Sequence, residues 1–334
     1  MSINLKIGII GLGVGEAHLR SYQQIPNVEV VSVCDIDPAR LKSIADNYNI
    51  SGRYIDSKFI TEDPNIDIVS ICSYDNFHAE QLISCFRNGK HVMVEKPVVL
   101  FKEDAEAVVR EWKDSRCKVT SNLILRESPR FKNIKNMILK KDFGEIYHIE
   151  GDYLHNILHK ITDGWRGKMP FYSTVYGGGI HLIDLMRWLM NDEVKEVCAM
   201  GNNILTKNTN YKYPEIMTSL LQFNRGATGK NTSTYGPQRT KFHSLNIFGT
   251  KKSYVNHRGN GEIFSGDSEN DLILDSTPYP GFLKGDLLPE FISSIRQDVD
   301  PIVTGEDIFR VMDVCFAIWE SYKKKKTVEV SYVL

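Results

Sequence analysis

The sequence predicts a two-domain α/β protein. A doubly wound parallel sheet is expected over residues 1–123, and an α+β domain with an open, mostly antiparallel sheet over 124–334. Three observations lead there. The first 120 or so residues alternate short β-branched runs with amphipathic stretches, and the runs after residue 194 follow one another with few helices between. A chain of 334 residues is also longer than one ordinary domain.

In the first domain LKIGII (5–10), VEVVSVC (28–34), IDIVSIC (66–72), HVMVE (91–95) and KVTSNL (118–123) read as strands. Residues 15–24, 38–47, 77–88 and 103–115 read as helices, and Asn88-Gly89 supplies a stop signal. Near-continuous apolar strands separated by helices indicate a parallel sheet covered on both faces. In the second domain 130–141 reads as a helix and IYHIEGDYL as a strand, followed by an irregular stretch rich in His, Trp and Tyr. A helix is expected over 180–191, with strands at 194–200, 216–224, 227–235, 242–249 and 252–257. The last long helix, 304–322, carries Ile308, Val311, Met312, Cys315, Ile318 and Trp319 at core spacing, and packing back on the first domain is open to it.

Composition narrows the function. Hydrophobic residues are 42% and charged residues 25%, the balance of a soluble globular protein. A net charge of -1 argues against nucleic-acid and membrane surfaces. MSINLKIGII has none of the features of a secretory leader, and no apolar run approaches the ~20 residues that span a bilayer, so a cytoplasmic protein is expected. The six cysteines, at 34, 72, 85, 117, 198 and 315, form no CxxC and read as buried, reduced thiols.

Directly after the first strand come Gly11, Leu12, Gly13, Val14 and Gly15. Gly11 allows a tight turn, Gly13 lets backbone approach a pyrophosphate, and the following helix offers N–H groups and a positive dipole end. The third glycine arrives one position earlier than in GxGxxG, but strand before and helix after give the context of a Rossmann turn. Asp35, followed by Ile36, ends the second strand, 22 residues past Gly13. Its carboxylate suits the two ribose hydroxyls and repels a 2′-phosphate, by ~1 kcal/mol in water and ~4 kcal/mol at an effective dielectric of 20. No arginine follows Asp35 immediately, so the expected cofactor is NAD. Asp37-Pro38 reads as a helix N-cap with proline at the first turn.

Three further segments carry a family resemblance. They are IDIVSICSYDNFHAEQLISCFRNGKHVMVEKPVVL (66–100), YGGGIHLIDLMRWL (176–189), and the tail from Gly305 to Val330. With them the chain resembles the Gfo/Idh/MocA oxidoreductases, the glucose–fructose oxidoreductase and inositol 2-dehydrogenase type, over nearly its whole length. The resemblance implies a Rossmann domain, an open-sheet domain that often packs between subunits, and a sugar, cyclitol or nucleotide-sugar oxidised or reduced at one carbinol carbon. A homodimer or homotetramer is the expected assembly, the apolar face of the sheet being hidden by subunit packing.

Hydride transfer from a carbinol needs a base for the hydroxyl proton and charge to stabilise the alkoxide. Lys96 and His181 fit. An unperturbed His titrates near ~6.5 and Lys near ~10.4, so His181 is expected as base and Lys96 as the orienting cation. Asp184 lies on the same helical face as His181, and either fixes the imidazole tautomer or favours the positive helix end. Many members of the family carry an Asp four residues before the motif His. Here that position is Gly177, preceded by Phe171, Tyr172 and Ser173, so Asp184 substitutes or the relay is lost.

By resemblance Ser73 and His78, joined by Tyr74 and Asn76, form the loop beside the nicotinamide ribose, and Glu95 with Lys96 completes the cofactor set. Arg126, Trp165 and Arg166 are candidate substrate contacts, since guanidinium groups clamp anions and aromatics stack on sugars. His155 and His159 have HxxxH spacing without the Glu of HExxH, and no metal is expected. Two competitors stand beside the dehydrogenase: a non-enzymatic NAD-sensing regulator on the same fold, and a biliverdin-reductase-like enzyme. The first would tend to lose Lys96 and His181; the second lacks the Glu-Lys-Pro arrangement.

Overall fold

The computed structural model describes residues 4–334. Contacts divide the chain into two compact units: 1–124, 283–310 and 333–334 in one, and 125–282 with 311–332 in the other. The sequence assigns 124–334 to a second domain, with the last helix open to packing back on the first.

The first unit is built on a six-stranded parallel sheet, in the order β3-β2-β1-β4-β5-β6. The strands are β1 (Leu5–Ile10), β2 (Val28–Cys34), β3 (Gly52–Tyr54), β4 (Ile68–Ile71), β5 (His91–Val94) and β6 (Val119–Ser121). Between them run α1 (Leu12–Tyr22), α2 (Pro38–Asn47), α3 (Lys58–Thr61), α4 (His78–Arg87) and α5 (Lys102–Asp114). Ile7, Ile9, Val33, Ile68, Val69, Ile71, Val92 and Val94 are buried, as expected of strands covered on both faces. β3, with only three residues, none of them aliphatic, left no periodic signal and was missed. Asp37 caps α2 as expected, accepting from the Ala39 and Arg40 N–H groups. The strand order reverses between β1 and β4, the place where open α/β sheets hold ligands.

The second unit carries a nine-stranded sheet, ordered β14-β13-β12-β11-β7-β10-β9-β8-β15. It opens with α6 (Pro129–Leu139), β7 (Ile146–Leu154) and α7 (His159–Thr162), and a π-helical turn over Val175–Gly179 leads into α8 (Ile180–Met190). Then come β8 (Val194–Asn202), β9 (Ile216–Phe223), β10 (Thr228–Thr234), β11 (Phe242–Gly249), β12 (Ser253–Val255), β13 (Gly261–Phe264) and β14 (Leu272–Asp275). Only β7 and β10 pair in parallel; the other neighbours are antiparallel. β7 alternates inward Ile149, Gly151 and Tyr153 with outward polar residues, the period of a half-buried strand. α8 is apolar almost all round and packs Leu182 and Met186 over Gly151, so it is a core helix.

The chain then contributes α9 (Leu288–Gln297) to the first unit, a helix the sequence reading did not anticipate although Pro289 marks its first turn. Phe291 and Ile292 are buried, and Arg296 donates to the Pro26 and Asn27 carbonyls. α10 (Gly305–Lys324) comes next, and β15 (Val328–Glu329) closes the edge of the large sheet beside β8.

Candidate active site

In the first unit the turn from β1 into α1 is shaped by its glycines. Gly11 has φ 86°, and a side chain there would meet the Cys72 carbonyl. A Cβ on Gly15 would come within 2.8 Å of Ile9 Cγ2, so the early third glycine still serves close helix–strand packing. Gly13, flanked by Leu12 and the half-buried Val14, faces open space at the helix N-terminus, room that a pyrophosphate fits. Asp35 is buried at the end of β2. Its Oδ2 accepts the Leu12 N–H at 2.7 Å and its Oδ1 the Asp37 N–H at 2.9 Å. Each carboxylate oxygen can accept again, so both remain capable of taking a ribose hydroxyl. Ile36, beside it, is 62% exposed, an apolar surface of the kind an adenine covers. No arginine follows Asp35 immediately in the chain, but Arg40 on α2 reaches back to 3.5 Å from Asp35 and 3.7 Å from Asp37.

After β4, Ser73 Oγ donates to Gln81 Oε1 at 2.7 Å, Tyr74 is half-buried and Asn76 is exposed. His78 is fully buried, with Nδ1 2.8 Å from the Pro97 carbonyl and Nε2 3.3 Å from the Ser73 carbonyl. Its ring ties the loop after β4 to the segment after β5. Glu95 Oε1 accepts from Asn122 Nδ2 at 2.8 Å and lies 3.5 Å from His18 Nε2. Lys96 stands next at the C-terminal end of β5, half-buried and joined to Pro97 by a cis peptide. His18, Asn122 and Arg40 were not singled out from the sequence.

In the second unit His181 opens α8, directly after the π turn, and is 9% exposed. π turns inside helices frequently mark functional sites. Tyr153 stacks on His181 at 6.2 Å, and His243 lies 6.4 Å away. Tyr153 shares a hydrogen bond with His155 Nδ1 at 3.0 Å, and His243 Nδ1 pairs with Tyr279 Oη at 2.9 Å. Burial, and then the charges of Lys241, Lys160 and His159, press His155 down to about 4, while burial lowers His243 well below the ordinary range. Arg166 lies over the Trp165 ring at 4.3 Å and donates Nε to Tyr172 Oη at 3.1 Å, which is 2.9 Å from Tyr235 Oη. The sequence showed this segment as rich in His, Trp and Tyr, but not which members the sheet gathers.

Asp184 is fully buried, and its oxygens accept from Arg126 Nε at 2.9 Å and Nη2 at 2.6 Å, so the two candidates serve each other. At Gly177 any Cβ would overlap the Tyr172 and Tyr235 hydroxyls, which fill the space an acid would need. Among the described residues no group of three or more His, Cys, Asp or Glu is placed to hold a metal.

Residues 5–123 match the profile described as an oxidoreductase family with an NAD-binding Rossmann fold, and residues 131–255 match the GFO/IDH/MocA C-terminal domain. The chain belongs to the Gfo/Idh/MocA oxidoreductase family. The myo-inositol 2-dehydrogenase of Thermotoga maritima is 26% identical, over 99% of this chain and 100% of that one. The glucose-6-phosphate 3-dehydrogenase of Bacillus subtilis is also 26% identical, over 98% and 99%. In fold the chain is similar to a levoglucosan dehydrogenase solved in complex with NADH, with a TM-score of 0.88, 22% identity, and coverage of 98% and 100%. As a Gfo/Idh/MocA protein, the chain uses its first unit to bind NAD.

Proposed function

We propose that this chain is an NAD-dependent dehydrogenase that moves a hydride between nicotinamide and a carbinol carbon of a sugar, cyclitol or nucleotide-sugar. The observation that carries this reading is Lys96 at the C-terminal end of β5, in a sheet whose β1–α1 turn and Asp35 fit NAD. The bound nicotinamide supplies the hydride acceptor. Lys96 orients the substrate hydroxyl and stabilises the alkoxide through its ammonium charge. His181 takes the hydroxyl proton as the carbon loses its hydride, leaving a carbonyl and an imidazolium. Tyr153 holds the His181 ring by stacking, and Trp165 with Arg166 contacts the sugar. Arg126 and Asp184 are assigned to holding α8 rather than to the substrate, because both are buried and bonded to each other by two hydrogen bonds.

NAD reduction is to be followed against free sugars, cyclitols, and UDP- and GDP-sugars. Turnover on one class confirms the reading. NADH binding without turnover on any member of the panel turns it toward a regulator.

The outer face of the nine-stranded sheet exposes Leu220 (60%) and Met200 (77%), and supports a homodimer or homotetramer. Light scattering at micromolar concentration checks this; a monomer overturns it. All six cysteines are free, and no helix among the described residues is long and apolar enough to cross a membrane. We place the protein in the cytoplasm on the cysteine usage.

A further inference from the structure

The backbone beside Lys96 is held by a buried side chain that no part of the proposed reaction uses. His78 opens α4 and is fully buried. Both of its ring nitrogens face main-chain carbonyl oxygens, Nδ1 that of Pro97 at 2.8 Å and Nε2 that of Ser73 at 3.3 Å. A carbonyl oxygen only accepts, so at 2.8 Å Nδ1 carries a proton and donates it. The Nε2 contact is the longer and weaker of the two. Pro97 follows Lys96 directly and begins a stretch, Pro97 to Leu100, that is buried although it lies in neither a strand nor a helix. Between the end of β5 and the start of α5 the chain therefore needs side chains to fix its path. On the other side, Ser73 Oγ donates to Gln81 Oε1 at 2.7 Å, and Gln81 lies three residues along α4 from His78, on the same buried face. The first turn of α4 thus grips both the loop after β4 and the segment after β5. That loop in turn abuts the cofactor turn, since a side chain at Gly11 would strike the Cys72 carbonyl and the Ser73 nitrogen.

We propose that His78 is a positioning residue for Lys96: its Nδ1–H holds the Pro97 carbonyl, and so fixes the residue before it at the place where it meets the reacting hydroxyl. This rests on the reading of Lys96 as the group that acts on that hydroxyl. His78 acts through the backbone, being sealed from solvent itself. Its weight falls on turnover, because a shift of about 1 Å in a catalytic group costs on the order of 100-fold in rate.

The test separates the two ring nitrogens from each other and from packing. In His78→Asn the side-chain amide nitrogen falls where Nδ1 stands, and in His78→Gln where Nε2 stands. H78N is expected to keep turnover within about threefold, and H78Q and H78L to lose roughly tenfold or more, all with NADH affinity within about twofold. Packing alone predicts the reverse order, since Gln fills the space of the ring better than Asn. H78Q as active as H78N, or more so, overturns the proposal. In the Lys96→Met background H78L is expected to cost little more, because the group it positions is gone. A full tenfold further loss there would show that His78 acts apart from Lys96, and overturns the proposal as well. In the unmodified protein, ¹⁵N spectra of labelled histidine are expected to show Nδ1 of His78 protonated at pH 7. A bare Nδ1 overturns the proposal whether or not any variant folds. Failure of the dehydrogenase reading itself appears differently, as unmodified protein that binds NADH and turns nothing over.

Discussion

Arg126 grips Asp184 with two hydrogen bonds, Nε and Nη2 donating to separate carboxylate oxygens at 2.9 and 2.6 Å, with both side chains sealed from solvent. The geometry is the bidentate fork that makes such pairs strong. Removing one partner strands a buried charge. Arg126→Met or Asp184→Leu alone is expected to cost about 3–5 kcal/mol of stability, and both together much less than the sum. Urea unfolding of the two singles and the double checks this; additive losses would show that the two are not coupled.

Cofactor choice rests on Asp35. Calorimetry is expected to show NADH bound more tightly than NADPH, and Asp35→Ala to narrow the gap. D35A is also expected to weaken NADH itself, since Asp35 Oδ2 holds the first N–H of α1. Arg40→Ala removes a cation 3.5 Å from Asp35 and is expected to widen the gap. Equal affinity for the two cofactors in the unmodified protein contradicts the role given to Asp35.

Turnover rests on Lys96 and His181. Lys96→Met and His181→Asn are each expected to lower the turnover number by roughly 100-fold or more with NADH affinity nearly intact. H181N is also expected to alter the acidic limb of the pH profile, because a protonated His181 cannot take the hydroxyl proton. The double variant is expected to lose far less than the product of the singles, because both serve one proton transfer. Near-normal turnover in H181N would move the base role to Lys96.

The His18–Glu95 pair has a signature in stability against pH. Burial disfavours the charged form of Glu95, but the close contact and charge of His18, the charge of Lys96 and the Asn122 bond bring it from 4.5 down to about 2. Its contribution is full above about pH 4.5 and is lost as pH falls toward 2. His18 moves the other way, from 6.5 up to about 10, so its contribution is full below about pH 6.5 and is lost as pH rises through 10. Unfolding free energy is expected to be highest near pH 4.5–6.5 as far as this pair decides it. The H18Q/E95Q double variant is expected to show a flatter profile. An unchanged profile in the double would mean that the pair carries no charge.

Much of the first unit was legible because its signals are local. Alternating apolar runs and helical periods announced five of its six strands and the larger helices between them. The glycine turn and Asp35 could be placed from strand ends alone, since a β-α turn sets the chain's path for the few residues after a strand. The short β3, and α9 with its late return to the first unit, gave too little period to be seen.

The chain by itself determined the fold class, the NAD-binding turn and the positions of Lys96 and His181. The tertiary structure decided which polar side chains are spent on one another. Arg126 and Asp184 are 58 residues apart, and Tyr172 and Tyr235 are 63 apart. His18, on α1, meets Glu95, just after β5, because the parallel sheet sets β1, β4 and β5 side by side. Such pairs depend on strand order and register, set by how whole elements pack, and no local pattern of residues records them.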